Sequence, residues 1–344
     1  MSTWIDCVKN DPSNVVASRV RLVRNWDEYR FPSKLADEEA DEMVRRLKDL
    51  FRDLPDRDGK DYDYHSFRSL KEIDRIALQE RRHLNKTLVD KKTPGGIILS
   101  EDERVGLVLN ADDHIRLSVL HEGAGLEECW EEADRLDDYI NEKIYYAFNE
   151  KYGYMTAYPT NVGTGMKASV LLHLPSLNAS QRFQGFMSDM SRFGVGVRGV
   201  YGRGKENYGD LYEIYNQKTL GVTEQEILDR VGYVAGQVAD QERKIRTGTL
   251  QKHRLMMEDE AYKAYGVLKY ARKLSVKETM IFLSHVRSGT EDKLLTLSSP
   301  VSIYSIMIGV QPANLQRSAQ KPLDQDELAM ERARYVREKL PDLE

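Results

Sequence analysis

The sequence predicts an α+β protein in which a domain of mixed strands and helices precedes a helical C-terminal region. Two observations predict it. Short β-branched runs cluster at residues 97–120 and 168–216 among amphipathic helical stretches, and strand signals nearly stop after about residue 250. Length agrees, because 344 residues exceed one ordinary domain of about 150. The expected division is 1–250 and 251–344, with the break near residues 248–253.

Taken in order, Ala40, Met43, Val44, Leu47, Leu50 and Phe51 recur at three- and four-residue steps, the apolar stripe of a helix over 37–51. Residues 53–65 are polar and punctuated by Pro55 and Gly59, which reads as a loop. A helix over 69–86 is expected next. The turn Pro94-Gly95-Gly96 then opens strands at 97–99, 104–109 and 114–120. Leu126, Trp130, Ala133, Leu136, Ile140, Ile144 and Ala147 line one face of a long helix. Further strands are expected at 168–174, 195–201 and 211–216. Thr223 with Glu226, and Ser275 with Glu278, are capping boxes that start helices. Residues 324–339 read as a charged terminal helix. Leu268, Ile281, Leu283, Ile303 and Ile306 exceed what so small a helical domain need bury, which fits a self-association face or ordinary core.

Composition removes several classes. Lys plus Arg number 51 and Asp plus Glu 56, so the net charge of −5 argues against a nucleic-acid binder. Hydrophobic residues at 40% and aromatics at 9% exclude a disordered chain. No apolar run nears the ~18 residues of a membrane span, and the first residues show no secretory leader. Two cysteines, Cys7 and Cys129, make neither a disulfide framework nor a structural zinc site. A cytoplasmic protein with no membrane partner is expected.

Four segments interrupt strand-like sequence with polar or glycine-rich residues. In Ser18-Arg19-Val20-Arg21, alternation puts two guanidinium groups on one face; a solvated edge strand would look the same. Asn110-Ala111-Asp112-Asp113-His114-Ile115-Arg116 places carboxylates beside an arginine, as a base next to an anion clamp or as a polar hairpin loop. Metal ligation fits it less well, because no His spacing of the zinc type is present. Residues 159–169, with Gly163, Gly165, Lys167, Ala168 and Ser169, suggest a phosphate loop but not a Walker A loop, since Met166 precedes the lysine. Residues 198–205 turn a strand into a glycine-rich stretch able to close on a ligand. Together they supply Arg19, Arg21, Arg116, Lys167 and Arg198 from strand ends, and convergent cations suit phosphoryl transfer.

The order S-x-R-x-R, N-x-x-D-H-x-R, P-T-N-x-G-T-G and R-G-x-x-G resembles the phosphagen (guanidino) kinase superfamily, most closely its bacterial protein-arginine kinase (McsB-type) branch. The resemblance covers about residues 14–340. It implies an antiparallel sheet flanked by helices, with a C-terminal helical domain used for dimerisation. It implies ATP with Mg²⁺ held through the nucleotide phosphates, and phosphorylation of arginine exposed on protein substrates, in a homodimer with a small activator protein as a further partner. Carried over, Ser18, Arg19, Arg21, His83, Arg116, Lys167, Ala168, Ser169, Arg198, Gly199, Gly202 and Arg203 surround the nucleotide. Asp112 is the carboxylate that orients the target guanidinium and takes its proton.

This chain departs from the family pattern at several of these positions. Asn-Glu-Glu-Asp-His has become Asn110-Ala111-Asp112-Asp113-His114. Arg203 stands where the family has a substrate-facing glutamate, and Tyr158 replaces its cysteine. Lys167 stands for an arginine, and the phosphoarginine-sensing motif keeps only Arg332 and Ala333. Two expectations follow: an ATP-dependent arginine phosphotransferase, or a nucleotide-binding pseudokinase with a regulatory role. Asp113 and Glu206 are the candidates to replace a lost carboxylate.

Overall fold

The computed structural model describes residues 3–344 apart from 11–12, 181–184, 186–189, 203–205 and 320. Along the chain, β1 (Val15–Arg24), α1 (Asp37–Leu50), α2 (Leu54–Asp58), β2 (Tyr62–Ser66), α3 (Glu72–Glu80) and α4 (Lys86–Val89) lead into β3 (Gly96–Ser100), β4 (Val105–Leu109) and β5 (Ile115–Glu122). Next come α5 (Leu126–Lys143), the short hairpin of β6 (Phe148–Asn149) and β7 (Gly153–Tyr154), β8 (Met166–His173), α6 (Pro175–Ala179), β9 (Val195–Gly199) and β10 (Leu211–Asn216). The remainder is helical: α7 (Glu224–Tyr270), α8 (Val276–Glu291), α9 (Ile303–Gly309), α10 (Pro312–Ser318) and α11 (Gln325–Lys339). Eight strands form one sheet in the order β2-β3-β4-β5-β1-β8-β10-β9. Its registered pairs β2–β3, β3–β4 and β4–β5 are antiparallel. This is the α+β class expected, an antiparallel sheet with flanking helices and a helical C-terminal region.

Strands β3 and β4 are buried at every position, which is why they read as continuous apolar runs. The polar stretch 53–65 is not a plain loop, because α2 and the start of β2 lie in it. Tyr64 of β2 pairs with Ile98 of β3. The strand lies at the sheet edge and is exposed or half-buried throughout, so its identity comes from pairing rather than from composition. The helix expected over 69–86 is broken. Arg82 adopts a left-handed φ of 74°, and the His83 N–H closes back on the Leu78 carbonyl at 2.8 Å. That closure usually announces itself with a glycine, and none is present. Helix α7 runs through residue 250, with non-helical backbone at His253 (φ −136°, ψ 35°).

The first of two compact units comprises residues 1–4, 18–169 and 215–232. Phe67, Leu78, Leu84, Leu88, Ile97 and Val108 form an apolar cluster there that also encloses Ala111. Arg24 is buried in the same unit. Its Nη2 lies 2.6 Å from Asp137 Oδ2 and its Nη1 donates to the Val23 and Thr164 carbonyls. The guanidinium carbon sits 3.6 Å from the Tyr154 ring centroid. Burial opposes that charge, but Asp137 and the two tyrosines hold the Arg24 pKa above its usual value.

The second unit comprises residues 5–17, 170–214 and 233–344. Leu268, Leu283, Ile303 and Ile306 are buried within it and Ile281 is half-buried, so these apolar positions serve ordinary core. Ser275 and Glu278 make the expected capping box on α8. Glu291 anchors the polar interior, accepting from Arg246 at 2.6 Å and Arg287 at 2.7 Å. The two cations hold its carboxyl below the usual range against the opposing effect of burial.

Removing one member of a buried ion pair leaves the other charge uncompensated, at about 3–5 kcal/mol. Asp137→Asn should therefore lower unfolding stability by an amount of that order, read as a fall in the urea midpoint.

Candidate active site

Alternation along β1 buries Val20 and Leu22 and leaves Arg19 and Arg21 half-buried on the opposite face. Arg19 Nε donates to Ser118 Oγ on β5 at 2.8 Å. Two residues from Ser118, and so on the same face, is Arg116. The β4–β5 register sets Gly106 opposite Ser118 and Val108 opposite Arg116. Gly106 lies next to the His83 ring, whose Nδ1 would be in ordinary contact, at 3.6 Å, with a Cβ added there. The turn at Arg82 delivers that ring, and His83 Nε2 faces Glu103 Oε2 at 3.3 Å.

Arg116 is buried and makes no ion pair among the described residues. Its Nη2 donates to the His83 carbonyl at 2.8 Å, while Arg116 Nε and His83 Nδ1 are buried without hydrogen-bond partners. Burial, reinforced by the neighbouring Arg21 cation, pushes Arg116 down to about 9 against the pull of Asp112 and Asp113. A cation in this condition is a receptor for an anion.

The adjoining loop is shaped by Asn110, whose left-handed φ of 55° suits asparagine and whose N–H meets the His114 carbonyl at 2.7 Å. Ala111 points into the apolar cluster, and Asp112 is half-buried. Asp113 Oδ1 accepts from Asn25 Nδ2 at 2.7 Å and from the Ala157 N–H at 2.6 Å, and burial pushes this carboxyl up. Asp113 is thereby an anchor. His114 Nδ1 accepts from the Trp26 N–H at 3.0 Å, so its Nε2 must donate to the Arg30 carbonyl, at 2.8 Å. That fixes a neutral ring, and burial lowers it to about 4. Lys91 is half-buried beside this loop, with Nζ 3.2 Å from the Ala111 carbonyl and the Asp112 charge acting on it.

The glycine-rich segment before β8 is packed against protein. A Cβ at Gly163 (φ 112°) would stand 2.1 Å from the Thr219 carbonyl oxygen. The Asn161 and Thr164 N–H groups donate to the Tyr158 and Thr219 carbonyls. Lys167 Nζ donates to the Asn216 carbonyl at 2.6 Å, and the Ala168 N–H meets Asn216 Oδ1 at 2.9 Å. Ser18 is buried with its hydroxyl on the Gly123 carbonyl, and Ser169 is buried too.

In the second unit, Arg198 on β9 is paired with the buried Glu213 of β10, Nε to Oε2 at 2.8 Å, and Nη2 reaches the same oxygen. Gly199 and Gly202 fit closely against Asn207 and Glu206. Glu206 is exposed, takes Lys277 on Oε1 at 2.8 Å and accepts from the Tyr208 hydroxyl on Oε2. Arg203 lies outside the described residues. Arg332 donates to the Val310 and Leu274 carbonyls, at 2.9 Å each. No group of three or more His, Cys, Asp or Glu stands ready for a metal among the described residues.

The structure thus gathers Arg19, Arg21, His83, Arg116 and Asp112 in one unit, with Lys167 on β8, the strand beside β1. The sequence reading missed Asn25, Lys91 and Glu213, whose roles depend on residues far away in the chain.

A sheet bearing such cations defines a phosphoryl-transfer class, and the comparisons agree. Residues 42–245 match the C-terminal catalytic domain of ATP:guanido phosphotransferases, and residues 254–344 match the C-terminal domain of the protein-arginine kinase McsB. A protein-arginine kinase of Brevibacillus brevis is 35% identical over 98% of this chain and 95% of its own length. That of Bacillus subtilis is 36% identical over 99% and 93%. The chain belongs to the protein-arginine kinase family of ATP:guanido phosphotransferases. Among solved structures, the duplicated taurocyamine kinase of Schistosoma mansoni superposes with a TM-score of 0.59 at 26% identity. That match covers 66% of this chain and 32% of the duplicated one. Lombricine kinase shares the fold, with a TM-score of 0.59 at 20% identity over 72% of each chain.

Two outcomes follow. Because the folded His114 titrates near 4 and the unfolded one near 6.5, its contribution is complete above pH 6.5 and is lost as pH falls towards 4. Stability should drop over that window by up to about 1.4 kcal/mol per pH unit, and His114→Gln should remove that slope in unfolding titrations. Glu213→Gln should lower unfolding stability by about 1–3 kcal/mol, because it weakens the charge-assisted bond from Arg198 to a buried carboxylate, and should cost little more in an Arg198→Ala background. Additive losses in that cycle would show that Glu213 does not act through Arg198.

Proposed function

We propose that the protein transfers the terminal phosphoryl group of ATP to arginine side chains of other proteins. The observation that carries this reading is Arg116, a buried guanidinium with an unpartnered Nε beside the unpartnered Nδ1 of His83. Arg19, Arg21 and Arg116 offer planar forks to the phosphates, His83 lies against the nucleotide, and Lys167 and Arg198 add charge. Mg²⁺, carried on the nucleotide, supplies charge neutralisation between the phosphates. Asp112 orients the incoming guanidinium. As the new P–N bond forms and the bond to ADP breaks, Asp112 accepts the proton that the guanidinium nitrogen loses.

Asp112 performs both tasks alone in this reading. Asp113 and Glu206 hold protein donors, and the side chain at position 111 faces apolar core rather than substrate. No specific observation favours a purely regulatory nucleotide binder. The names of the relatives support protein arginine as acceptor. Among the described residues, no helix is long and apolar enough to cross a membrane. We further propose residues 1–250 as the catalytic domain and 251–344 as a dimerisation domain. The exposed Leu255, Tyr262 and Tyr270 of α7 are then available as its contacts.

Titration calorimetry should show saturable binding of ATP with Mg²⁺. Arg116→Ala should weaken it at least about tenfold, the usual effect of deleting a charge-assisted hydrogen bond. Labelled ATP should leave acid-labile phosphate on an arginine-rich protein, and Asp112→Asn should slow that transfer by about 10²–10⁴. Transfer unaffected by Asp112→Asn would overturn the assignment of the base.

A further inference from the structure

The segment between α5 and the glycine-rich loop is unusually aromatic at its surface. Tyr145 is 83% exposed, Phe148 57%, Tyr152 45% and Tyr158 51%. Four exposed aromatic rings within fourteen residues make a concentration of the kind that interaction sites show. Their backbone is held firmly. The Asp27 N–H meets the Tyr145 carbonyl at 3.0 Å, and the Ala147 N–H meets the Asn25 carbonyl at 2.8 Å. The Met155 carbonyl accepts from Asn25 Nδ2 at 3.0 Å. The Tyr158 carbonyl takes the Thr156 hydroxyl and the Asn161 N–H, both at 2.9 Å.

The same contacts connect this segment to the acid loop. Asn25 Oδ1 accepts the His114 N–H at 2.9 Å while its Nδ2 reaches Asp113, and Asp113 holds the Ala157 N–H. Both feet of the β6–β7 hairpin therefore rest on the side chain or backbone of Asn25, and Tyr158 follows a residue bonded to the neighbour of Asp112. The chemistry of the segment is also visible. Tyr154 stacks on the Arg24 guanidinium, and Lys151 Nζ lies 5.2 Å from the Tyr152 ring centroid. Two rings of the segment, Tyr152 and Tyr154, thus already face cations.

We infer that Tyr145, Phe148, Tyr152 and Tyr158 form a docking platform for the polypeptide that presents the target arginine, engaging it through stacked guanidinium and apolar contacts. The occupant is an extended, arginine-bearing segment of another protein. The inference rests on the reading that Asp112 handles a guanidinium, because the platform is bolted to the loop that carries it. Planar guanidinium groups stack on aromatic faces more readily than ammonium groups do, so the platform selects arginine over lysine before any chemistry occurs.

The test uses the full-length protein saturated with a non-hydrolysable ATP analogue. The probes are a labelled Gly/Ser peptide bearing one arginine and its lysine counterpart. Anisotropy should show tighter binding of the arginine peptide. The triple variant Phe148→Ser, Tyr152→Ser, Tyr158→Ser should lose about fivefold in that affinity, the worth of one exposed cation–π contact to the single arginine, with unchanged ATP affinity and circular dichroism. Equal affinity of variant and wild type, or no preference for arginine over lysine, overturns the inference. So does light scattering in which the triple substitution turns a dimer into a monomer while peptide affinity persists, since the rings would then cover a second copy. Ring-dependent peptide binding without any phosphate transfer would leave the platform standing and sink the proposed function. Transfer that requires Asp112 but ignores the rings would do the reverse.

Discussion

A guanidinium that leaves water must find an anion or a set of carbonyls, and this constraint organises the polar interior of the protein. Arg24 meets it with Asp137 and two carbonyls, Arg246 and Arg287 with Glu291, and Arg332 with the Val310 and Leu274 carbonyls. Each of these cations is built in. Arg116 is the contrast. It is equally buried, yet its charge faces another cation, Arg21, and its Nε has no acceptor. Asp112 and Asp113 offset that burial only in part, and it is on this under-compensated cation that the proposed nucleotide site rests.

The same comparison explains which parts of the molecule were legible in the sequence. Apolar periodicity and capping boxes located α1, α5, α7 and α8, because those signals are local and each is carried by a few residues. Central strands were visible as buried runs. The edge strand β2 was not, since a polar strand differs from a loop only by the neighbour it pairs with. The turn at Arg82 lacked its usual glycine, so His83 could be named by resemblance but its delivery to Arg116 could not be foreseen. Arg19, Arg21 and Asp112 were readable as chemistry-bearing types. Asn25, Glu213 and the fixed neutral tautomer of His114 depend on hydrogen bonds across 15 to 89 positions, and no local pattern encodes those.

The altered acid motif also looks different once folded. Read as a string, Ala111 is a lost carboxylate. In the fold its side chain lies among Phe67, Leu84 and Val108, where a glutamate would have to leave water without a partner. In the proposed function the loop would thus rely on Asp112, while the adjacent Asp113 and His114 serve as structural pins.

The discontinuous second unit has a consequence for biosynthesis. Asn10 Nδ2 bonds the Val301 carbonyl at 2.7 Å, and the Ser302 hydroxyl bonds the Ile5 carbonyl at 2.8 Å. Residues 5–17 leave the ribosome before residues 301–302 have been made, with 291 and 297 positions between the partners. At about 5–20 residues per second, this leading segment spends many seconds without its native contacts. The first unit needs residues only up to 232 and so has its full sequence before Val301 and Ser302 are made. A nascent chain stalled between those points would carry one finished unit and an uncommitted leader, a natural target for chaperones and for proteolytic quality control.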